Sequence, residues 1–270
     1  ENYFNAKAKL FKNINPAAFV VINNDDSYAA RLKKLTRAKI ITYGIENNAY
    51  IVAKNIKFCA LHTEFILSTP KVKTNFKTRL LGKYNVYNIL ATVAWAMQEG
   101  FDISIVKSSI EGFSHVPGRL EKIDFDGRFS VFVDYAHTED ALRNIIQTLR
   151  QFAKKRIIVV FGCGGERDKT KRPKMGKVVS ELSDYAIITN DNPRSEDPQE
   201  IIRDIKRGIR KTNFCVIPER LDAIKKSLSL AKAGDIVLVE GKGHENCQII
   251  KDKIMHFNDR EAIKRCLKSM

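Results

Sequence analysis

Two kinds of hydrophobic pattern alternate along the second half of the chain. Short, almost uninterrupted apolar runs predict buried strands at 131–133, 157–161, 185–188 and 236–239. Apolar residues at helical spacing predict amphipathic helices at 139–152, 175–182, 198–212, 219–232 and 259–268. Because strands and helices alternate, the pattern predicts an α/β fold with a doubly wound, mainly parallel, Rossmann-like sheet.

The first half of the chain combines helices with short strands. Helical spacing predicts helices at 3–11, 27–35, 89–99 and 103–112. Apolar runs predict strands at 19–22 and 40–43, and alternating residues predict an antiparallel set at 50–53, 65–68 and 72–76. The alanines and Trp95 of the third helix indicate that this helix is buried.

The pair Pro117-Gly118 is the best candidate for a domain boundary, because both residues interrupt regular structure. With 270 residues, the chain is long enough for two domains and a sizeable core. We therefore predict a first domain over residues 1–117 and a second over residues 118–270.

The composition is that of a soluble globular protein, with 44% hydrophobic residues. The apolar runs are too short to span a membrane, and no charged and then apolar leader opens the chain, so we expect a cytoplasmic protein without membrane contact. Five scattered cysteines without Cys-x-x-Cys spacing argue against a disulfide framework and against a zinc site.

The net charge of +16 raises the alternative of a nonenzymatic binder of anions or nucleic acid. The lysines, however, are spread along the whole chain, and no recognition helix, zinc-finger spacing or RNA-binding aromatic signature accompanies them. We expect no nucleic-acid partner, since solvated helix faces and an anionic small-molecule substrate explain the charge more simply.

Polar side chains follow each of the four predicted strands of the second half. The segments after the strands are Asp134 to His137, Gly162 to Gly165, Asp191 to Arg194, and Glu240 to Glu245. Because open parallel sheets bind ligands outside the carboxyl ends of their strands, we expect these four segments to share one crevice.

The residue types in this crevice indicate an amino-acid ligand. Arg194 suits bidentate binding of a carboxylate, and Glu245 suits an ammonium group. A structural Arg–Glu pair is the alternative.

Other groups at the strand ends suit a nucleotide or another anion. Asp134 suits a ribose hydroxyl and His137 an adenine or phosphate, although His137 could instead cap the following helix. The glycines at 162–165, beside Arg167 and several lysines, could cradle an anion or form only a tight turn. Cys163 is expected to fill space beneath that loop.

Taken together, these motifs resemble the Mur ligase family over essentially the whole chain. The matching pieces are Tyr3 with Ala6-Lys7, Gly82 with Asn85 and Asn88, Gly118-Arg119, and the segments 133–138, 161–176, 191–198 and 241–245. The resemblance implies that residues 1–117 are the second half of a central ATP-binding domain and that residues 118–270 are a C-terminal domain binding the incoming amino acid. No Gly-x-x-x-x-Gly-Lys-Ser/Thr loop is present, so the phosphate cradle is expected upstream.

The resemblance also implies roles for single residues. Lys7 matches a catalytic lysine that is carbamylated and thereby supplies oxygen for Mg²⁺. The nucleotide contacts would be Asn85, Asn88, Arg119, Asp134 and His137. The pocket for meso-diaminopimelate would comprise Arg167, Asp191, Asn192, Pro193, Arg194, Gly241 and Glu245.

The implied reaction is ATP- and Mg²⁺-dependent amide formation in peptidoglycan precursor synthesis. The γ-carboxylate of UDP-N-acetylmuramoyl-L-alanyl-D-glutamate would become an acyl phosphate, which an amine of meso-diaminopimelate would attack. We expect a monomer that is inactive as this chain alone. A lysine-adding or folylpolyglutamate-type ligase of the same superfamily is the enzymatic alternative, and Arg194 with Asn192 argues against it.

Overall fold

A computed structural model describes residues 1–269 of the chain. Contacts between Cα atoms divide it into two compact units, Glu1–Ser114 and a second unit from His115 onward. Among residues 1–269, no helix has the length and apolar character needed to cross a bilayer.

The first unit is a five-stranded sheet with four helices. In chain order its elements are α1 (Asn2–Asn13), β1 (Phe19–Asn23), α2 (Ala29–Lys33), β2 (Lys39–Gly44), β3 (Ile51–Phe58), β4 (Thr63–Ser68), β5 (Lys73–Thr78), α3 (Lys83–Gln98) and α4 (Ile103–Gly112). The strand order is β1-β2-β3-β4-β5; the first three strands are parallel and the last three antiparallel. The alternating residues therefore form the predicted antiparallel set, and their apolar side chains pack against α3 and α4.

Two predictions for helix α3 are wrong. The helix begins at Lys83 rather than at residue 89, because Gly82, at a φ of 92°, turns the chain directly into it; Asn85 thus lies inside the helix. Trp95 is 50% exposed rather than buried. The buried stripe of α3 runs through positions such as Leu90 and Val93, and Trp95 falls outside that stripe, against Phe101 at 6.1 Å between ring centroids.

The second unit is the doubly wound sheet that the pattern predicts, and the predicted fold class is confirmed. Its elements are β6 (Glu121–Ile123), β7 (Ser130–Asp134), α5 (Glu139–Arg150), β8 (Ile157–Phe161), α6 (Lys171–Leu182), β9 (Tyr185–Ile188), α7 (Pro198–Lys206), β10 (Phe214–Val216), α8 (Arg220–Leu230), β11 (Ile236–Glu240), β12 (Cys247–Ile250), β13 (Lys253–His256) and α9 (Asp259–Lys268). The strand order is β10-β9-β8-β11-β7-β6, with only β6 antiparallel within this sheet.

Short or exposed elements of this unit are absent from the sequence prediction. Strands β6 and β10 have three residues each, and the hairpin of β12 and β13 lies outside the main sheet. Helix α7 ends at Lys206 instead of residue 212: Gly208 packs so closely against the Pro173 carbonyl that a Cβ would lie 1.7 Å from its oxygen. Helix α6 starts at Lys171, a turn earlier than predicted.

A fully buried ion pair joins three elements beneath the strand ends. Arg220, the first residue of α8, makes two bonds to Asp259, the first residue of α9: Nε to Oδ1 at 2.8 Å and Nη2 to Oδ2 at 2.7 Å. Nη2 also donates to the carbonyl of Glu240, the last residue of β11, at 2.8 Å. An unpaired charge at this depth would be costly, so the pair makes the positions of these three element ends interdependent.

Asp259→Asn is expected to lower the free energy of unfolding by about 3–5 kcal/mol, because it leaves the Arg220 guanidinium buried without its counterion. Urea denaturation measures this loss, and Asp222→Asn on the exposed side of α8 is the matched control, expected within about 0.5 kcal/mol of the parent. The double variant Arg220→Met/Asp259→Leu should recover part of the loss. A double variant whose loss of unfolding free energy equals the sum of the losses of the two single variants would contradict this account.

Candidate functional site

The carboxyl ends of strands β7, β8, β9 and β11 meet in one crevice, as predicted. The Gly241 N–H donates to the Asp134 carbonyl at 3.1 Å, and the Gly165 N–H donates to the Asn192 carbonyl at 2.8 Å. The loops after β8 and β9 approach each other so closely that a Cβ on Gly165 would lie 1.9 Å from the Pro193 carbonyl oxygen. Glycine at this position is therefore needed for packing between two loops, whatever ligand the loop contacts.

The side chain of Asn192 lies at the centre of this crevice. Its Nδ2 donates to Oε2 of Glu245 at 2.8 Å. Its Oδ1 accepts from the ammonium of Lys242 at 2.7 Å and from the Ile249 N–H at 3.0 Å. Because the Oδ1 accepts two hydrogen bonds, the amide is held in a single orientation, with its nitrogen toward Glu245.

Lys242 is a functional candidate that the sequence reasoning missed. It is fully buried, and its ammonium also donates to the Cys247 carbonyl at 2.7 Å. Burial lowers its pKa, and the negative charge of Asp191 opposes that shift. The available signal was its position between two glycines, Gly241 and Gly243, immediately after a buried strand.

Glu245 and Arg194 lie in the same crevice but do not form the structural ion pair considered above. Glu245 is half-buried and accepts from Asn192 and, at 3.4 Å, from the Tyr135 hydroxyl. Arg194 instead donates from Nη1 to the carbonyls of Gly165 at 2.7 Å and Asn192 at 3.5 Å. The crevice therefore presents a carboxylate and a guanidinium that are not paired with each other.

The backbone of Arg194 is in the left-handed region, with φ of 53°. Its N–H donates to the Ile249 carbonyl at 3.0 Å and its carbonyl accepts from the Lys251 N–H at 2.7 Å, so strand β12 holds it there. Left-handed backbone is costly for a residue with a Cβ and is retained where the surroundings determine it. The hairpin β12–β13 thus fixes the direction from which the guanidinium enters the crevice.

A second buried cation, Arg172 on α6, ties the glycine loop to the segment after β9. Its Nη2 contacts both carboxylate oxygens of Glu196, at 2.9 and 3.0 Å, and Nη1 contacts Asp204 at 3.0 Å. Glu196 also accepts from the Glu166 backbone N–H. The hydrogen bond from Arg172 is the main cause that lowers the pKa of Glu196 to about 2.

Arg167, which follows the glycine loop, is exposed, and its Nη1 donates to the Glu166 carbonyl at 3.2 Å. Arg167 lies on the glycine loop that Arg172 holds in place. Cys163 is buried in the same loop, and burial raises the pKa of its thiol to about 12. The buried side chain fills space beneath the loop, as the sequence suggested.

Asp134 and His137 differ in their exposure. Asp134 is 2% exposed, and its two oxygens accept from the N–H groups of Leu120, at 2.6 Å, and Ala136, at 2.7 Å. Burial raises its pKa to about 6. His137 is exposed, with Nδ1 3.0 Å from the Tyr135 carbonyl oxygen, and Thr138 rather than His137 caps helix α5.

Arg119 lies beside this group, on the turn that Asp134 holds. Its guanidinium is 5.1 Å from the centroid of the Tyr135 ring, which also contacts the rings of His137 and His244. An exposed cation and three rings in one place suit a planar or anionic ligand. The nucleotide roles of Arg119, Asp134 and His137 stay predictions.

Glu240, at the end of β11, is a further buried group that the sequence reasoning did not single out. It is paired in register with Asp134, and both of its carboxylate oxygens lack a hydrogen-bond partner. Burial and the nearby charge of Asp134 raise its pKa well above the ordinary value for Glu. A carboxylate buried without partners is disfavoured relative to the neutral acid, which is the physical cause of that shift.

The remaining predicted site residues lie in the first unit. Lys7 is exposed on α1, with its ammonium 4.7 Å from the centroid of the Tyr3 ring. On α3, Asn85 is buried and donates to the Leu81 carbonyl at 2.8 Å, whereas Asn88 is exposed and donates to Asn85 Oδ1 at 3.3 Å. Asn85 therefore has a structural partner, and Asn88 is the more accessible of the two.

A magnesium site is not formed by the described residues alone. Across residues 1–269, no group of three or more His, Cys, Asp or Glu side chains could hold a metal ion. Lys7 would add oxygen ligands only after carbamylation.

Two family profiles match the chain. The profile described as Mur ligase middle domain matches residues 1–96, and the one described as Mur ligase, glutamate ligase domain matches residues 118–243. A relative from Clostridium botulinum named UDP-N-acetylmuramoyl-L-alanyl-D-glutamate--2,6-diaminopimelate ligase is 46% identical over 272 residues, which cover 100% of this chain and 56% of the relative. The chain thus spans little more than half the length of that relative.

Solved structures give the same result. A UDP-N-acetylmuramoyl-L-alanyl-D-glutamate--2,6-diaminopimelate ligase aligns with a TM-score of 0.68 at 35% identity, over 99% of this chain and 56% of that one. The MurF ligase of Thermotoga maritima in complex with ADP aligns with a TM-score of 0.69 at 17% identity, over 98% and 56% of the two chains. At 17% identity, the second likeness concerns the fold alone.

Glu196→Gln is expected to destabilise the protein in a pH-dependent way. The pKa of Glu196 is depressed in the folded state, so its contribution, about 2 kcal/mol, is present above its ordinary pKa near 4.5 and is lost as the pH falls toward 2. Urea denaturation from pH 7 down to pH 3 should show the parent and the variant converging. The exposed Glu200→Gln is the control; a gap for Glu196→Gln that does not change with pH would contradict the prediction.

Proposed function

The chain belongs to the Mur ligase family, as its motifs predict, and we propose that it carries the amino-acid pocket of an ATP-dependent ligase that adds meso-diaminopimelate to UDP-N-acetylmuramoyl-L-alanyl-D-glutamate. The curated relative from Clostridium botulinum bears the name of that activity, and the likeness covers all of this chain. The proposed place of action is the cytoplasm, where nucleotide-activated precursors and ATP are available.

One observation carries the proposal: in the same crevice, Asn192 contacts both the Glu245 carboxylate and the Arg194 guanidinium, which are not paired with each other. The side-chain Nδ2 of Asn192 contacts Glu245 at 2.8 Å, and the backbone carbonyl oxygen of Asn192 is 3.5 Å from Nη1 of Arg194. A ligand that carries an ammonium and a carboxylate on one carbon satisfies both charges at once. Each end of meso-diaminopimelate has this pair of groups.

The pocket can hold one end of diaminopimelate and leave the other end free to react. Glu245 would accept the ammonium and Arg194 would bind the carboxylate of the held end, with the exposed Arg167 at the rim and the buried Gly241 beside Asp191. L-Lysine carries both groups only on its α carbon. When that end is the one that reacts, its distal end brings an ammonium but no carboxylate, and the Arg194 guanidinium is left without its anion. A pocket built to bind a polar group strongly disfavours a substrate that lacks this group, because the pocket's own polar group is then left without a partner.

The proposed reaction is a substitution at an activated carboxyl group. Phosphoryl transfer from ATP converts the D-glutamyl γ-carboxylate to an acyl phosphate; the free amine attacks the acyl carbon, inorganic phosphate leaves, and the nitrogen loses a proton. This chain's residues hold and orient the amine, which removes much of the entropic cost of that step. Mg²⁺ would neutralise phosphate charge, with a carbamylated Lys7 as one proposed source of oxygen ligands.

The nucleotide contacts are proposed for Asn88, Arg119 and His137, which are exposed. The two buried residues of the predicted set, Asn85 and Asp134, would act by holding backbone: Asn85 bonds the Leu81 carbonyl, and Asp134 bonds the turn that carries Arg119. ADP bound to the Thermotoga maritima MurF ligase supports nucleotide use by this fold.

Arg194→Ala is expected to weaken binding of meso-diaminopimelate to the chain on the order of 10- to 100-fold, because a hydrogen bond to a charged group contributes about 1.5–3 kcal/mol. Isothermal titration calorimetry with meso-diaminopimelate and, separately, L-lysine measures both affinity and selectivity. Arg203→Ala on the exposed face of α7 removes the same charge far from the strand ends and should leave binding unchanged.

Tighter binding of L-lysine than of diaminopimelate would support a lysine-adding ligase instead. A complementary assay uses a hybrid in which this chain replaces the matching part of the Clostridium botulinum relative. Absence of binding to the chain, together with absence of diaminopimelate ligation by a folded hybrid, would overturn the proposal.

A further inference from the structure

The ammonium of Lys242 occupies a site with no exposure to solvent. An ammonium has three N–H donors, and two of them are satisfied at 2.7 Å, by Oδ1 of Asn192 and by the carbonyl of Cys247. A buried charge is tolerated only when it is bonded and paired, so its surroundings must supply negative charge.

Two carboxylates supply that charge at slightly longer range. Oε2 of Glu245 is 3.6 Å from Nζ and Oδ1 of Asp191 is 3.8 Å from it. Further ionisable groups near this cluster are Tyr135, whose hydroxyl contacts Glu245, and His244, whose ring centroid is 5.3 Å from that of Tyr135. Arg220 and Asp259 also act on Lys242, and they pair with each other. Lys242 is therefore a cation placed between Glu245 and Asp191.

The same ammonium determines which end of the Asn192 amide faces Glu245. Lys242 can only donate, so it requires the amide oxygen on its own side, and the Ile249 N–H has the same requirement. The amide nitrogen is consequently directed at Glu245. Without the ammonium, one of the two reasons for this orientation is lost, and Glu245 and Asp191 lose the cation between them.

We propose that Lys242 is a positioning residue for the amino-acid pocket: it orients the Asn192 amide and places a positive charge beside Glu245 and Asp191, so that the Glu245 carboxylate is held in place to accept the ammonium of the incoming amino acid. This inference rests on the proposed function. It assigns Lys242 no contact with the substrate; its effect passes through Asn192 and Glu245.

The mechanism has a consequence that a merely structural lysine would not have. When the nearby positive charge is removed, the pKa of a carboxyl group rises. In a pocket without Lys242, the acidic limb of the binding profile should therefore lie at higher pH than in the parent. Loss of packing alone would weaken binding at every pH by the same factor.

The experiment titrates meso-diaminopimelate into the parent chain and into Lys242→Met by calorimetry, from pH 5.5 to pH 8.5. We expect Lys242→Met to bind at least about tenfold more weakly at pH 7, since it removes one partner of a buried charge cluster. Part of the loss should be recovered at pH 8.5. Lys226→Met, the same substitution on the exposed side of α8, should match the parent throughout.

A double-mutant cycle with Glu245→Gln identifies the route of the effect. If Lys242 acts through Glu245, Lys242→Met should cost much less in the Glu245→Gln background than in the parent. Thermal unfolding confirms that each variant is folded. If Lys242→Met does not fold, Lys242→Gln removes the same charge and keeps an N–H donor for the Cys247 carbonyl, and it takes the same test.

Three results would overturn the inference: unchanged binding in the lysine variants, a loss that is constant with pH, or strictly additive losses in the cycle. The proposed function fails in a different way. A parent chain that binds L-lysine and not diaminopimelate would contradict the proposed substrate while leaving the Lys242 effect measurable with lysine.

Discussion

Three cations buried beneath the strand ends hold the second unit's crevice together. Arg172, Arg220 and Lys242 have no solvent exposure, and each bonds at least two segments that are distant in sequence. A buried cation is costly unless every partner stays in place, so each of these side chains makes separate loops depend on one another. The parallel sheet brings the loops to one edge, and the cations set their distances.

This arrangement explains how a crevice built from loops can be specific. Arg172 connects the glycine loop with the segment after β9, Arg220 connects β11 with α8 and α9, and Lys242 connects the segment after β9 with β12. The groups proposed to meet substrate, Arg194 and Glu245, are only partly buried and rest on this framework. Charges held rigidly in advance bind an amino acid without the entropic cost of ordering them.

The same framework accommodates local conformations that would be unfavourable alone. Arg194 keeps a left-handed backbone because β12 bonds both its N–H and its carbonyl. Glu240 is buried under the crevice beside Asp134, and its burial raises the pKa of its carboxyl group. Such departures from ordinary backbone and charge behaviour concentrate where a fold builds a binding site, because the surrounding structure over-determines them.

Much of the fold and part of the site followed from the sequence alone. Uninterrupted apolar runs are sufficient to identify strands that are buried on both faces. Because the carboxyl ends of parallel strands meet at one edge of a sheet, the sequence also predicted the crevice and the presence of Arg194 and Glu245 in it. Short strands such as β10, and the exposed hairpin β12–β13, leave too weak a pattern to be found in this way.

Only the tertiary structure decided which polar residues face the crevice and which hold neighbouring groups in place. In the sequence, Asp134, Asn85 and Glu240 resemble residues that contact a ligand. In the structure all three are buried; Asp134 and Asn85 bond backbone groups, and the Glu240 carboxyl group has no hydrogen-bond partner. Lys242 reads as one more lysine in a basic chain until the fold encloses it between Asn192, Asp191 and Glu245. Composition and spacing determined the fold class and the family; desolvation and hydrogen-bond geometry, which depend on residues far apart in sequence, decided the role of each charge.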